Sequence, residues 1–377
     1  MLTDLADIET PALLVDLDVM ERNLSRAAEY AAAHGLALRP HVKTHKSPVV
    51  AARQIALGAA GLTCATAFEA DVMSAVTSDI LVAYPPVAAM RAARLASLPP
   101  HVDLIVALDS PEAIRGMSQS AAAHGRMVGV YVELDLGMHR VGVPGIEDAI
   151  ALARAVRKEP SLDFRGIAFY PGHVREAPDD QDAKLAAMER ALDEALRRFE
   201  AEGVAPRVVS GGSTPTLWRT HEVRGVTEMR PGTYVYNDRT TATIGACAWE
   251  DCALTVMATV ISTAVPGQAV IDAGTKSLGR EPIRGADGEG FGQLLEHPDV
   301  LVERMSEEHG VLDLSRSDWR PEVGETVRVV PNHVCIVVHL HDVVYGVRDG
   351  LLETSWPVAA RGRGQLAVRD VGINGPS

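Results

Sequence analysis

From about residue 10 to about residue 240 the chain alternates between two textures, and this alternation limits its fold more than any other feature. Short β-rich runs occur at residues 12–17, 36–43, 61–64, 80–84, 104–108, 128–134, 164–170 and 207–210. Ala-rich segments of helical period lie between them. One spans residues 21–34, and the longest spans residues 182–202. Ser110-Pro-Glu112 reads as a helix start, with a serine cap before proline in the first turn. Gly35 and Gly125 each follow an Ala-Ala-His ending, as helix-terminating glycines do. Eight strands, each followed by a helix, predict a (β/α)8 barrel, a TIM barrel, over residues 10–244. A doubly wound open sheet is the competing architecture, and the strand count favours the barrel.

After about residue 245 the Ala-rich helices stop. Runs such as Leu254-Thr-Val-Met-Ala-Thr-Val-Ile261 and Cys335-Ile-Val-Val-His-Leu340 read as strands. Residues 245–377, with residues 1–9, are therefore expected to form a separate, mainly-β domain.

The formal net charge of −14 argues against nucleic acid or an anionic membrane as the main partner, because phosphate binding needs clustered Lys and Arg. No apolar run approaches the length of a membrane span. Cys64, Cys247, Cys252 and Cys335 are scattered, which fits neither a disulfide framework nor a CxxC zinc module. A cytoplasmic location is expected.

The chemistry concentrates in Arg39-Pro-His-Val-Lys-Thr-His-Lys46. On a strand, alternate side chains share a face, which would group Arg39, His41, Lys43 and His45. Four basic groups facing a barrel interior are costly unless something anionic sits among them. A phosphorylated cofactor would supply that charge. Lys43 would then be a nucleophilic amine at the end of a barrel strand. A basic surface strand remains the alternative on spacing alone. Lys46 breaks the parity and is expected to open the next helix.

Ser210-Gly-Gly-Ser-Thr-Pro215 follows a strand and can present backbone N–H groups to a phosphate, although an ordinary tight turn has the same composition. Arg230-Pro-Gly-Thr-Tyr234 could close the other side. In Pro331-Asn-His-Val-Cys335, His333 and Cys335 would share a face of a strand and could grip one metal ion. An isolated pair of this kind is more often a core thiol beside a hydrogen-bonded imidazole.

Together these segments resemble the D-threonine aldolase and D-serine dehydratase family, which has an alanine-racemase-type barrel and a β-domain. The resemblance also covers Thr10-Pro-Ala-Leu-Leu-Val-Asp-Leu-Asp18, Gly137-Met-His-Arg-Val-Gly-Val143, Val270-Ile-Asp-Ala-Gly-Thr-Lys276, Glu307-Glu-His-Gly310 and Trp356-Pro-Val-Ala-Ala-Arg-Gly362. It implies pyridoxal phosphate as cofactor, attached at Lys43. It places Arg140 near the cofactor's phenolic oxygen and Tyr170 in the pocket. Ser213 and Thr214, with amides at Gly212, Gly232 and Thr233, would hold the phosphate. Arg230 would sit beside the pyridine nitrogen and keep it unprotonated. His333 and Cys335 would bind a divalent metal, zinc or manganese. The family's site lies between one subunit's barrel and the partner's β-domain, so a homodimer is implied.

The expected substrate is a β-hydroxy D-amino acid. Retro-aldol cleavage to glycine and an aldehyde is the leading reaction, with His173 in Tyr170-Pro-Gly-His-Val174 as the base. β-Elimination to a keto acid and ammonia is the alternative, because Cys335 resembles the dehydratase branch. A racemase would need a second base opposite Lys43, and the context of Tyr345 does not match that motif. A non-enzymatic pyridoxal-phosphate carrier would lack the β-domain.

Overall fold

The computed structural model describes residues 4–283 and 290–364. The parts of the expected β-domain at residues 1–3, 284–289 and 365–377 lie outside the described residues. In chain order the strands are β1 (Ala12–Asp16), β2 (Ala37–Leu38), β3 (Leu62–Cys64), β4 (Asp79–Val82), β5 (Asp103–Leu108), β6 (Val128–Glu133), β7 (Leu162–Ala168), β8 (Val208–Gly211) and β9 (Glu228–Met229). They continue with β10 (Leu254–Ser262), β11 (Gln268–Ile271), β12 (Gly292–Leu294), β13 (Leu301–Met305), β14 (Gly310–Asp313), β15 (Thr326–Pro331), β16 (Val343–Arg348) and β17 (Leu351–Pro357).

Strands β2 to β9 form one parallel sheet in the order β2-β9-β8-β7-β6-β5-β4-β3. Its two ends meet. His41 bridges Thr63, the amide of Val42 donates to the Thr63 carbonyl at 2.9 Å, and the Thr63 amide donates to the Pro40 carbonyl at 2.9 Å. These bonds close the sheet into the expected (β/α)8 barrel. The helices between the strands bury one stripe each. In Asp182–Ala201 that stripe is Leu185, Met188, Leu192, Ala195 and Phe199, at helical spacing. Ser110 caps Pro111–Ala123, and Gly35 and Gly125 adopt φ of 65° and 60°, as helix-ending glycines do.

The barrel does not begin where the sequence pattern places it. β1 lies in the second sheet, between β10 (antiparallel) and β16 (parallel). Its residues are buried on both faces and a helix follows at once, Leu17–Ala33, capped by Asp16. A fully buried strand followed by a helix looks alike in either sheet. The eighth barrel strand is instead β9, only two residues long and too short to show periodicity. The barrel boundary expected at residue 10 is corrected accordingly.

The second sheet runs β11-β14-β13-β12-β15-β10-β1-β16-β17. One apolar cluster fills the space between it and the helix Leu17–Ala33, including Leu13, Leu17, Met20, Leu24, Val256 and Val329. The run from residue 335 to 340 is not a strand. It belongs to the helix Val334–Leu340, which buries Val334, Val337 and Val338 at helical spacing. A short apolar run cannot be assigned to helix or strand by periodicity alone.

Candidate active site

Strand parity ends at His41. Residues 42–46 form a turn closed by the Lys46 amide donating to the Val42 carbonyl at 2.8 Å. His45 therefore leaves the expected row and bonds Gln54 at 3.2 Å. Lys46 has φ of 50° and pairs with buried Glu69. It does not open the next helix, which starts at Pro48 behind the Ser47 cap. Arg39 is neutralised from within the protein, by Glu228 at 2.6 Å and Asp79 at 2.6 Å. Burial, with Lys43 and Arg230 nearby, holds His41 well below the usual imidazole range and so uncharged.

The turn presents Lys43 to a cavity of about 490 Å³, a volume typical of small-molecule sites. Arg140, Tyr170, Thr233, His333 and Cys335 share its wall. Lys43 Nζ lies 5.6 Å from the Tyr170 ring centroid, and the Arg140 guanidinium lies 5.0 Å from it.

The two glycine-bearing turns come together as expected. The Tyr234 amide donates to Thr214 Oγ1 at 3.2 Å, and the Arg230 amide donates to the Gly211 carbonyl at 3.2 Å. Gly212 has φ of 92°, which favours glycine. A Cβ on Gly232 would lie 2.9 Å from Thr44 Oγ1 and 3.0 Å from the His41 carbonyl oxygen. Glycine there lets this turn pack against the lysine turn. Ser213 and Thr214 are buried, and Ser213 Oγ sits 3.1 Å from Thr216 Oγ1. Arg230 is buried and donates to the Ser210 carbonyl, Ser210 Oγ and the Phe169 carbonyl at 3.1, 2.6 and 2.9 Å.

His333 and Cys335 do not alternate along a strand. His333 is the capping residue of the helix Val334–Leu340, and Cys335 lies in its first turn. Asp238, fully buried, lies 2.9 Å from His333 Nδ1 and accepts from the Val334 amide at 3.2 Å. Its other oxygen caps the helix Arg239–Thr243 through the Thr241 amide at 2.8 Å. Thr44 Oγ1 lies 3.2 Å from Cys335 Sγ, and Thr233 Oγ1 lies 3.9 Å from it. Burial alone would raise the Cys335 thiol. His333, Lys43 and Thr44 outweigh it and bring the pKa down to about 7. Lys43 and the His-x-Cys pair thus face one cavity within a single chain. Among the described residues no group of three His, Cys, Asp or Glu side chains is close enough to form a metal site on its own.

His173 does not line the cavity, although Gly172 and Arg175 on either side do. Its Nδ1 is buried without a partner among the described residues. Burial lowers its pKa, Lys184 adds to the shift, and Asp135 and Glu176 oppose it.

Sequence reasoning missed Asp238, Thr44, Glu69 and His339. Only Asp238 had a local signal, the Asp-x-x-Thr capping pattern from 238 to 241.

Residues 15–240 match the family model described as alanine racemase, N-terminal domain, and residues 253–347 match that of a putative serine dehydratase domain. A 3-hydroxy-D-aspartate aldolase of Paracoccus denitrificans (strain Pd 1222) is 34% identical over 374 residues, covering 96% of this chain and 94% of that protein. The chain belongs to the D-threonine aldolase and D-serine dehydratase family. The family depends on pyridoxal phosphate, and its members are lyases. The crystal structure of D-threonine aldolase from Filomicrobium marinum superposes with a TM-score of 0.88 at 33% identity, covering 95% of this chain and 97% of that one. A D-threo-3-hydroxyaspartate dehydratase variant with one cysteine replaced by alanine, in a metal-free form, superposes with a TM-score of 0.86 at 33% identity, covering 96% and 100%. The family's cofactor fits the residues present. An amine, an arginine and an aromatic ring share the cavity, and a glycine-bearing double turn packs against the lysine turn.

Proposed function

We propose that the chain is a pyridoxal-phosphate- and divalent-metal-dependent lyase that cleaves β-hydroxy D-amino acids to glycine and an aldehyde. The observation that carries this reading is the convergence of Lys43 with His333 and Cys335 on one cavity. A racemase needs no imidazole–thiol pair beside its lysine.

Lys43 would hold the cofactor covalently, with Arg140 and Tyr170 fixing its position. The cofactor, when bound, supplies an electron sink for cleavage at the α-carbon. The phosphate would rest against the turns carrying Gly212, Ser213, Thr214, Gly232 and Thr233, and Arg230 would face the ring nitrogen. His333 and Cys335 would hold the metal and Asp238 would aim the imidazole. Zinc and manganese are the candidates, and a thiolate ligand favours the softer zinc. The metal would orient the β-hydroxyl. His173 would take the hydroxyl proton through one intervening water, since it stands behind the cavity wall.

Dehydration is the second reading. Cys335 favours it, because a cysteine at this place resembles the dehydratase branch of the family. In that reaction Lys43 would take the α-proton, and a metal held by His333 and Cys335 would supply the Lewis acidity for loss of the β-hydroxyl.

Incubation of the holoenzyme with D-threonine, D-serine and D-phenylserine separates the two readings. Glycine plus aldehyde is the expected outcome. Ammonia plus keto acid would replace it with dehydration. EDTA should abolish either activity, and unchanged turnover would remove the metal from the reading.

A homodimer is part of the proposal and is checked by light scattering. No helix among the described residues is long and apolar enough to cross a membrane. A cytoplasmic location is proposed on the scattered cysteines.

A further inference from the structure

The protein carries a net charge of −14, yet three arginines on the cavity wall, Arg140, Arg175 and Arg363, have no carboxylate partner among the described residues. Unpaired cations in an acidic protein mark where an anion binds. Arg140 lies over the Tyr170 ring at 5.0 Å, beside Lys43. Arg175 donates Nε to the Gly172 carbonyl at 2.7 Å, on the loop after β7. The guanidinium of Arg363 makes no hydrogen bond to another described residue.

Arg363 reaches the cavity on a built strap, not a loose end. After β17 the Val358 amide donates to the Asp342 carbonyl at 2.8 Å, and the Ala360 amide donates to the Lys46 carbonyl at 3.0 Å. Ala360 is fully buried. Arg94 Nη1 then donates to the carbonyls of Arg363 and Gly364 at 3.3 and 3.1 Å. Residues 358–364 thus cross from the second sheet to the barrel mouth and are tied to the barrel at both Lys46 and Arg94.

The strap lands near His339, on the helix that also carries Cys335. Cys335 and His339 are four apart on one helix, share a face and both line the cavity. Burial lowers the pKa of His339, and Lys46, Arg361 and Arg363 lower it further, so it stays uncharged. Lys46 is committed to Glu69. Among the described residues Arg363 is therefore the uncommitted cation on this side.

From this placement, and resting on the lyase reading above, we infer that Arg363 is a specificity-determining residue that pairs with a carboxylate on the β-carbon of the substrate. With the β-hydroxyl held toward His333 and Cys335, a carboxylate on the same carbon would come within reach of the strap beside His339. A guanidinium fork there matches a carboxylate bidentately and gains nothing from a methyl group. The preferred substrates are β-hydroxy D-amino acids with two carboxylates. The name of the Paracoccus relative gives that protein's substrate, and this chain's own strap supplies the residue that would select for one here.

The test compares wild-type holoenzyme with Arg363→Gln and Arg363→Lys on D-3-hydroxyaspartate, D-3-hydroxyasparagine and D-threonine. Arg363→Gln should lower kcat/KM for the dicarboxylate by about 10-fold, the low end of what a hydrogen bond to a charged group contributes. D-threonine and the amide should change by less than about threefold, and lysine should restore part of the loss. Calorimetry gives a second readout. D-aspartate lacks the β-hydroxyl, and its Kd should weaken in Arg363→Gln while that of D-2-aminobutyrate holds. An equal loss on all three substrates would make Arg363 merely structural, and no loss would remove it from recognition. If the wild type neither cleaves nor dehydrates any of them, the lyase reading fails, and the D-aspartate comparison still decides whether Arg363 binds a carboxylate.

Discussion

The Nδ1 atom of His333 lies 2.9 Å from Oδ2 of Asp238, so a buried carboxylate sets the orientation of the imidazole and leaves Nε2 as its remaining ring nitrogen. Asp238→Asn keeps a side chain able to cap the helix Arg239–Thr243 but removes the charge behind His333. Metal affinity should fall about 10- to 100-fold in a chelator competition, the usual effect of losing such a partner. Unchanged affinity with an intact circular dichroism spectrum would mean that Asp238 serves only the helix.

In the proposed reading Lys43 carries the cofactor link. The holoenzyme should absorb near ~420 nm (a Schiff-base band), and Lys43→Ala should lose it. A persistent band in that variant would mean that another amine, Lys46 being the nearest in sequence, carries the cofactor.

His173 is tested by rate and by pH together. His173→Ala should keep the absorption band and lose about 10²- to 10⁴-fold in retro-aldol rate, the span of general-base contributions. A base acts in its neutral form, and burial lowers the pKa of His173. Its acid limb should therefore lie below the free-imidazole value of about 6.5. A limb at or above that value assigns the step to another group.

The Lys46–Glu69 pair is buried beside the cavity, with Glu69 fully inaccessible. Lys46→Met leaves that carboxylate uncompensated and should cost about 3–5 kcal/mol in urea denaturation. Adding Glu69→Gln to the same chain should recover most of the loss. Equal destabilisation in the double variant would point to lost packing, not lost charge.

Much of this architecture is legible in the chain because its signals are local. The βα alternation, the Ser110 cap, Gly35 and Gly125 each depend on a few neighbouring residues. The placing of Lys43 at a cavity is legible only for an incomplete reason. Strand parity holds only as far as His41, and the row of basic groups is partly neutralised by Glu228 and Asp79, which no local pattern connects to Arg39. The His-x-Cys pair was read on the wrong element, because Cys335-Ile-Val-Val-His-Leu340 is apolar enough for either strand or helix. Asp238, Thr44 and Glu69 were missed because their importance comes from partners at a distance, respectively His333, Cys335 and Lys46.

The position of β1 has a consequence for biosynthesis. This strand is synthesised before the barrel strands, yet both of its neighbours, β10 and β16, are made after the entire barrel. Until then a nearly all-apolar strand waits with two bare edges, the condition under which strands pair with foreign chains. A barrel excised at residue 10 would keep that orphan permanently. One excised to begin at the Leu17–Ala33 helix would shed it, and should be the less aggregation-prone fragment when the two are expressed side by side.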